Sequence, residues 1–189
     1  MPRVLLASAS PRRLALLSAA GLAFDVEPAD VDESLAPGTA AEAGARELAL
    51  RKARAVAARH AGERVLVIGA DTIVALGLAA GAQLLGKAVD EADERRMLGL
   101  LSGSRHAVVT GVAVVDAHGG REFVECATTW VAMRALLPRE IDAYVDSGEW
   151  RGKAGGYAIQ ESADRFVTGL DGALDNVVGL PVALTLRLL

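Results

Sequence analysis

Two apolar runs rich in β-branched residues, "HAVVTGVAVV" and "REFVECATTWVAM", follow one another with only "DAHGG" between them. Runs of this length bounded by a glycine turn predict two long strands paired as an antiparallel hairpin. A third run, "RVLVIGADTIVAL", is of the same kind, and glycines 77 and 81 after it predict a turn into "QLLGK". Strands this long need helices to cover them, and the intervening segments supply the pattern. Residues 3–7 predict a further strand, followed by a short helix with Ser10 as N-cap, Pro11 at its first position and Gly21 at its end. "FDVEPADVDE" reads as extended, and a long helix is predicted over about 40–60, with Glu47 four residues before Arg51. Asp90 caps "EADERRMLGLL", which Ser102-Gly103 closes, and Pro138 opens a helix to about Ser147. "YAIQ" and "RFVTGL" read as strands and "NVVGLPVALTLRLL" as a terminal helix. The expectation is an α/β chain with a mixed sheet.

The chain has 189 residues, read as one domain over 1–189 and long enough for a substantial core. It is 52% hydrophobic and 23% charged, the balance of a folded protein and not of a disordered one. A net charge of −4 argues against a general basic surface for nucleic acid, so any anion site has to be local. The single Cys126 excludes an internal disulfide and fits a reducing compartment. Arg3, the apolar residues after it and "SAAG" imitate a signal peptide, but "SASPRR" interrupts them with polar and charged residues. The longest uncharged apolar stretch, Thr72 to Gly86, is shorter than the roughly 20 residues that span a bilayer. These features predict a soluble, cytoplasmic protein with no membrane partner.

Several residues sit where plain folding would not place them. Arg12 and Arg13 occupy the first turn of the short helix, where the macrodipole disfavours cations by roughly 0.3–1 kcal/mol each. Either the turn is simply solvated, or an anion binds there. In the second case the guanidiniums clamp it, with Ser8 and Ser10 as further donors. Asp71 breaks an apolar strand, so it is wet, paired, metal-bound or a turn residue at a strand end. Lys52 shares a helix face with Leu48 and Val56, as a snorkelling side chain or as a site residue. Glu33 in "DVDES" is a weaker signal alone, because acidic loops are usually just solvated. "GAQLLGKA" matches the first seven positions of a P-loop, but Ala88 replaces the hydroxyl that would hold Mg²⁺; Lys87 remains as a single charge for a phosphate. Gln160 ends "GKAGGYAIQ" with both a donor and an acceptor to offer. His60, His106 and His118 show no metal-ligand spacing.

In order, "LLASASPRR", "DES", "ELALRKA", "GADTIV", "LGK", "LSG", "GKAGGYAIQ" and "NVVGLP" resemble the Maf family of nucleoside triphosphate pyrophosphatases, over about residues 4–182. The resemblance implies a fold related to inosine triphosphate pyrophosphatases, an elongated mixed sheet with flanking helices and a deep cleft between two lobes, often as a homodimer. It implies hydrolysis of a nucleoside triphosphate to monophosphate and pyrophosphate with Mg²⁺ or Mn²⁺. By motif, Ser8, Arg12, Arg13, Lys52 and Lys87 would meet the triphosphate, while Glu33 and Asp71 would serve metal and water, Asp71 as proton acceptor. "SPRR", Thr72 and Gln160 resemble the dTTP/UTP branch, with Arg12, Thr72 and Gln160 as specificity residues, and not the branch acting on 7-methyl-GTP. The chain departs from the family pattern at Ala88 (usually proline), Glu161 (glycine), Trp130 (threonine) and Asp175 (serine or tyrosine). A nucleotide-binding regulatory module without turnover, for example in cell division, is the reading from another class. It would keep the cations but not need Asp71.

Overall fold

Along residues 2–189, which the computed structural model describes, the chain forms β1 (Arg3–Leu6), α1 (Pro11–Ala19), β2 (Asp25–Val26), α2 (Ala41–Ala57), β3 (Val65–Leu76), β4 (Gln83–Leu85), α3 (Glu91–Leu101), β5 (Arg105–Asp116), β6 (Glu122–Met133), α4 (Pro138–Ser147), β7 (Val167–Asp171), α5 (Leu174–Val178) and α6 (Val182–Leu188). The seven strands make one mixed sheet in the order β2-β1-β3-β5-β6-β7, with β4 added to the far end of β3. β1 runs parallel to β2 and β3, and the remaining pairs are antiparallel. The β5–β6 hairpin forms as its turn predicted, in continuous register from Arg105–Ala132 to Val115–Glu122.

β5 is buried along nearly its whole length, which explains why its sequence is continuously apolar and not alternating: both of its faces are covered. One face carries α2. The other carries α1 and α6, around Leu6, Leu17, Ile68, Val112, Val114 and Leu180. Further along, the outer halves of β3, β5 and β6 share a separate core with α3 and α4, built on Met97, Leu98, Tyr144, Trp150 and Phe166.

The seat of α2 is unusually close. Its buried stripe is mostly alanine and glycine, with Leu48, Lys52 and Val56 as the larger members. The strand beneath is bare at the crossing points. A Cβ on Gly69 would lie 2.2 Å from the Ala49 carbonyl oxygen, and one on Gly111 would lie 2.1 Å from that of Ala45. Only glycine lets helix backbone and strand backbone touch in this way.

Three expectations need correction. "YAIQ" is not a strand. Gly155 and Gly156 take left-handed φ of +69° and +73°, and the Ala158 N–H donates to the Tyr144 hydroxyl instead of a neighbouring strand. "RFVTGL" joins the sheet only from Val167, because Ser162–Phe166 forms a 3-10 turn first. The terminal helix is two helices. Gly179, at φ +125°, breaks it, and Pro181 cannot continue it because it has no N–H to donate. Asp175 explains its own presence there: its carboxylate accepts from the N–H of Val182 at 2.9 Å and so caps α6. No described helix is long and apolar enough to cross a membrane.

Gly111→Ala tests the seat of α2. Overpacking a backbone contact of this kind destabilises by about 1–3 kcal/mol or more, read as a lower urea midpoint with an unchanged slope. A variant as stable as the wild type would show that the helix is free to shift.

Candidate active site

β1 ends at Leu6, paired with Ile68 of β3, and β4 does not reach β3 until Val74. Between these points residues 69–73 of β3 have no strand on that side, and the sheet is notched. Asp71 and Thr72 lie in the notch. Successive side chains of a strand point to opposite faces, so Asp71 turns toward α2 and Thr72 toward α1. The notch opens into a cleft of about 600 Å³. Ser8, Arg12, Arg13, Glu33, Lys52, Asp71, Thr72, Lys87 and Gln160 all line it. Every site residue expected from the sequence is therefore brought to one place.

On the α2 side Lys52 is only 7% exposed and Asp71 8%. The lysine ammonium lies 2.5 Å from Asp71 Oδ1 and 2.8 Å from Glu33 Oε1, so it joins the two carboxylates. A charge this buried needs such pairing, and the snorkelling reading of Lys52 falls. Lys87 reaches the other oxygen of Glu33 at 3.3 Å. Partial burial pushes the Glu33 carboxyl up, but Lys52 and Lys87 outweigh it and hold the group below its usual range. Among the described residues no three metal-ligating side chains come together. Two carboxylates in a cleft lined by cations still fit Mg²⁺ or Mn²⁺, which commonly take one or two protein carboxylates and complete their shell with water and substrate phosphates.

On the α1 side Ser10 occupies the N-cap position but makes no capping hydrogen bond with its side chain. Its own N–H donates to the Ser8 hydroxyl at 3.2 Å. Arg13 is half-buried and held by three hydrogen bonds. It donates to the Gly179 carbonyl at 2.8 Å, to Thr72 Oγ1 at 3.2 Å and to Ser8 Oγ at 3.3 Å. None of these partners is a carboxylate, so the guanidinium charge stays available. Burial pushes its pKa down, with Asp71 opposing. Arg12 lines the same wall with no carboxylate partner among the described residues. A helix N-terminus with two such arginines suits an anion.

The third wall comes from 151–161, with Tyr157, Ala158 and Ile159 facing Val74, Val108 and Val177. Gln160 sits exposed at its rim, in a turn and not at a strand end. Glu161, the charge that replaces a glycine, lies 3.4 Å from the Lys153 ammonium. Lys153 and Arg151 also line the cleft, and the sequence reading did not single them out. Their position in "WRGKAGGYAIQ" was the available signal. Of the other departures, Ala88 packs against the α3–α4 core and Trp130 stacks under Arg105 at 4.9 Å, so both lie off the cleft.

Behind this wall Glu94 of α3 is fully buried, and neither of its oxygens has a hydrogen-bond partner. A Cβ on Gly156 would fall 1.7 Å from Glu94 Oε2. Burial, aided by Asp93, pushes the Glu94 carboxyl from its ordinary 4.5 up to about 8.

The Maf-like protein family model matches residues 3–189 of the chain. A dTTP/UTP pyrophosphatase of Caulobacter vibrioides is 48% identical over 189 residues, covering 100% of this chain and 94% of that protein. A dTTP/UTP pyrophosphatase of Maricaulis maris is 47% identical, covering 100% of this chain and 87% of that protein. One of Geobacter sulfurreducens is 48% identical, covering 95% of this chain and 91% of that protein.

Glu94→Gln keeps the shape of the side chain and cannot ionise. Glu94 is neutral up to about 8 when folded and ionises near its ordinary 4.5 when unfolded. The unfolded chain thus binds fewer protons across that window, and wild-type stability falls as pH rises. The variant lacks this term, so urea midpoints of the two proteins should diverge between pH 5 and 8, with Glu94→Gln the more stable at the alkaline end. Parallel curves would contradict the burial of a neutral carboxyl.

Proposed function

Since the chain belongs to the Maf-like family, we propose that it hydrolyses nucleoside triphosphates, dTTP and UTP foremost, between the α- and β-phosphates to give monophosphate and pyrophosphate. One observation carries the reading: a nearly buried lysine joined to two carboxylates inside a cleft that Arg12, Arg13 and Lys87 also line. A protein that only held a nucleotide would need the cations. It would have no use for Asp71 and Glu33, which repel phosphate.

In this reading Arg12, Arg13, Lys87 and Ser8 bind the phosphate oxygens, where forked guanidiniums match the geometry of the anion. Lys52 fixes Asp71 through Oδ1, leaving the second oxygen to orient a water and take its proton. Glu33 and Asp71 are the residues that would hold Mg²⁺ or Mn²⁺, whose charge would stabilise the negative charge developing on the phosphoryl oxygens. Gln160, Thr72 and Arg12 read the base and its surroundings. The Lys153 contact supports a Glu161 whose charge is balanced instead of projecting freely into the base site. The reading places the enzyme in the cytoplasm as a homodimer that engages neither nucleic acid nor membrane, in keeping with its net charge of −4.

The test is catalytic efficiency on dTTP, UTP, ATP and GTP at low concentration. The two pyrimidines should lead by at least about tenfold, because a polar base edge left unpaired in a closed site costs about 1–3 kcal/mol. Purine preference would overturn the base assignment. Asp71→Asn retains shape and loses basicity, so turnover should fall by about 10²–10⁴-fold while binding persists; wild-type turnover would remove Asp71 as proton acceptor. Glu33→Gln should raise the Mg²⁺ concentration needed for half-maximal rate, and an unchanged requirement would count against Glu33 as a ligand.

A further inference from the structure

Thr72 has one hydroxyl proton, and its neighbours decide where that proton goes. Thr110 stands opposite it on β5 and is fully buried. The Thr110 hydroxyl donates to the Asn176 carbonyl oxygen at 2.9 Å. A carbonyl only accepts, so the Thr110 proton is committed there. The Thr72 and Thr110 hydroxyl oxygens are 3.0 Å apart, and the proton between them must then belong to Thr72. On its other side Thr72 accepts from Arg13 Nη2 at 3.2 Å, a group with no lone pair to return. What Thr72 still has to offer is one lone pair. The buried end of the chain is anchored as well. Asn176 Nδ2 donates to the Val108 carbonyl and to Thr129 Oγ1, both at 3.0 Å, and Thr129 donates onward to the Ala173 carbonyl.

We infer that Thr110 is a specificity-determining positioning residue: by taking up the Thr72 proton it makes Thr72 an obligate acceptor toward the nucleotide. The inference rests on the reading of Thr72 as part of the base site. Ionised phosphate oxygens carry no proton and gain nothing from such a group. A uracil or thymine ring carries a proton at N3, whereas cytosine carries a lone pair there. Set against N3, as the inference requires, an acceptor-only Thr72 selects the first and repels the second. With the Thr110 hydroxyl removed, Thr72 can rotate its proton outward and the distinction fades.

Thr110→Val keeps the shape and deletes the hydroxyl, Thr110→Ala deletes it with a smaller side chain, and Thr110→Ser keeps it. Dissociation constants for UMP and CMP, measured by calorimetry, give the uracil-to-cytosine ratio directly, and kcat/KM for UTP and CTP gives it for the reaction. The wild type should favour uracil. The ratio should fall by about tenfold in Thr110→Val and Thr110→Ala, the scale of one mismatched polar contact, and return in Thr110→Ser. A packing defect would weaken both nucleotides equally. An unchanged ratio in the hydroxyl-free variants, a ratio lost equally in Thr110→Ser, or a wild type that favours cytosine would each overturn the inference. The UMP and CMP ratio needs no turnover. A chain releasing no pyrophosphate would thus refute the function proposed above without touching this test.

Discussion

The contact on which the site depends is the one between the backbone of α2 and the bare glycines of β3 and β5. With Cβ atoms at residues 69 and 111 the helix would have to rise, because each would overlap a helix carbonyl at little more than 2 Å. Seated as it is, α2 delivers Lys52 to Asp71 at 2.5 Å and lets Glu33 close on the same ammonium at 2.8 Å. Pairing is what makes a buried ammonium tolerable. The group of three carries one net negative charge, from two carboxylates and one ammonium. Around it stand Arg12, Arg13 and Lys87, so the cleft as a whole favours a polyanion while its floor is locally acidic. That combination is what hydrolysis of a phosphoanhydride requires.

The second constraint is topological. β1 stops and β4 has yet to begin, so a short edge of β3 is open, and a ligand entering there meets both faces of one strand. Consecutive residues then do different work. Asp71 belongs to the α2 side and pairs with Lys52, Thr72 to the α1 side, where Arg13, Thr110 and Asn176 fix its hydrogen bonding. Open α/β sheets place ligands beyond the carboxyl ends of their parallel strands, and the notch at the end of β1 follows that rule.

Much of this was legible in the sequence because the informative residues violate a local rule. A carboxylate inside an apolar strand and arginines at a helix start both need an explanation outside their own element. The three long strands were legible from their pattern, and the helix starts from the prolines at 11 and 138 and the capping Asp90. The misreadings have a common cause. "YAIQ" has strand composition, but two left-handed glycines and the hydrogen bond of Ala158 to Tyr144 bend it into a wall. Tertiary partners there override local propensity. The last helix broke where Asp175 and Gly179 serve the fold better as a cap and a turn. Thr110 breaks an apolar strand just as Asp71 does, and the same argument applied to "VVTGV" would have marked it. Glu94 lay in an ordinary acidic helix start, and nothing local shows that it is buried.

Which bond of the triphosphate is broken separates a pyrophosphatase from a phosphatase. Incubating the protein with UTP and Mg²⁺ and following the products by ³¹P nuclear magnetic resonance reads this without any coupling enzyme. The proposed pyrophosphatase function predicts UMP and pyrophosphate as the first products, with no UDP at any time. UDP and orthophosphate appearing first would contradict it, because the attack would then lie at the far end of the triphosphate.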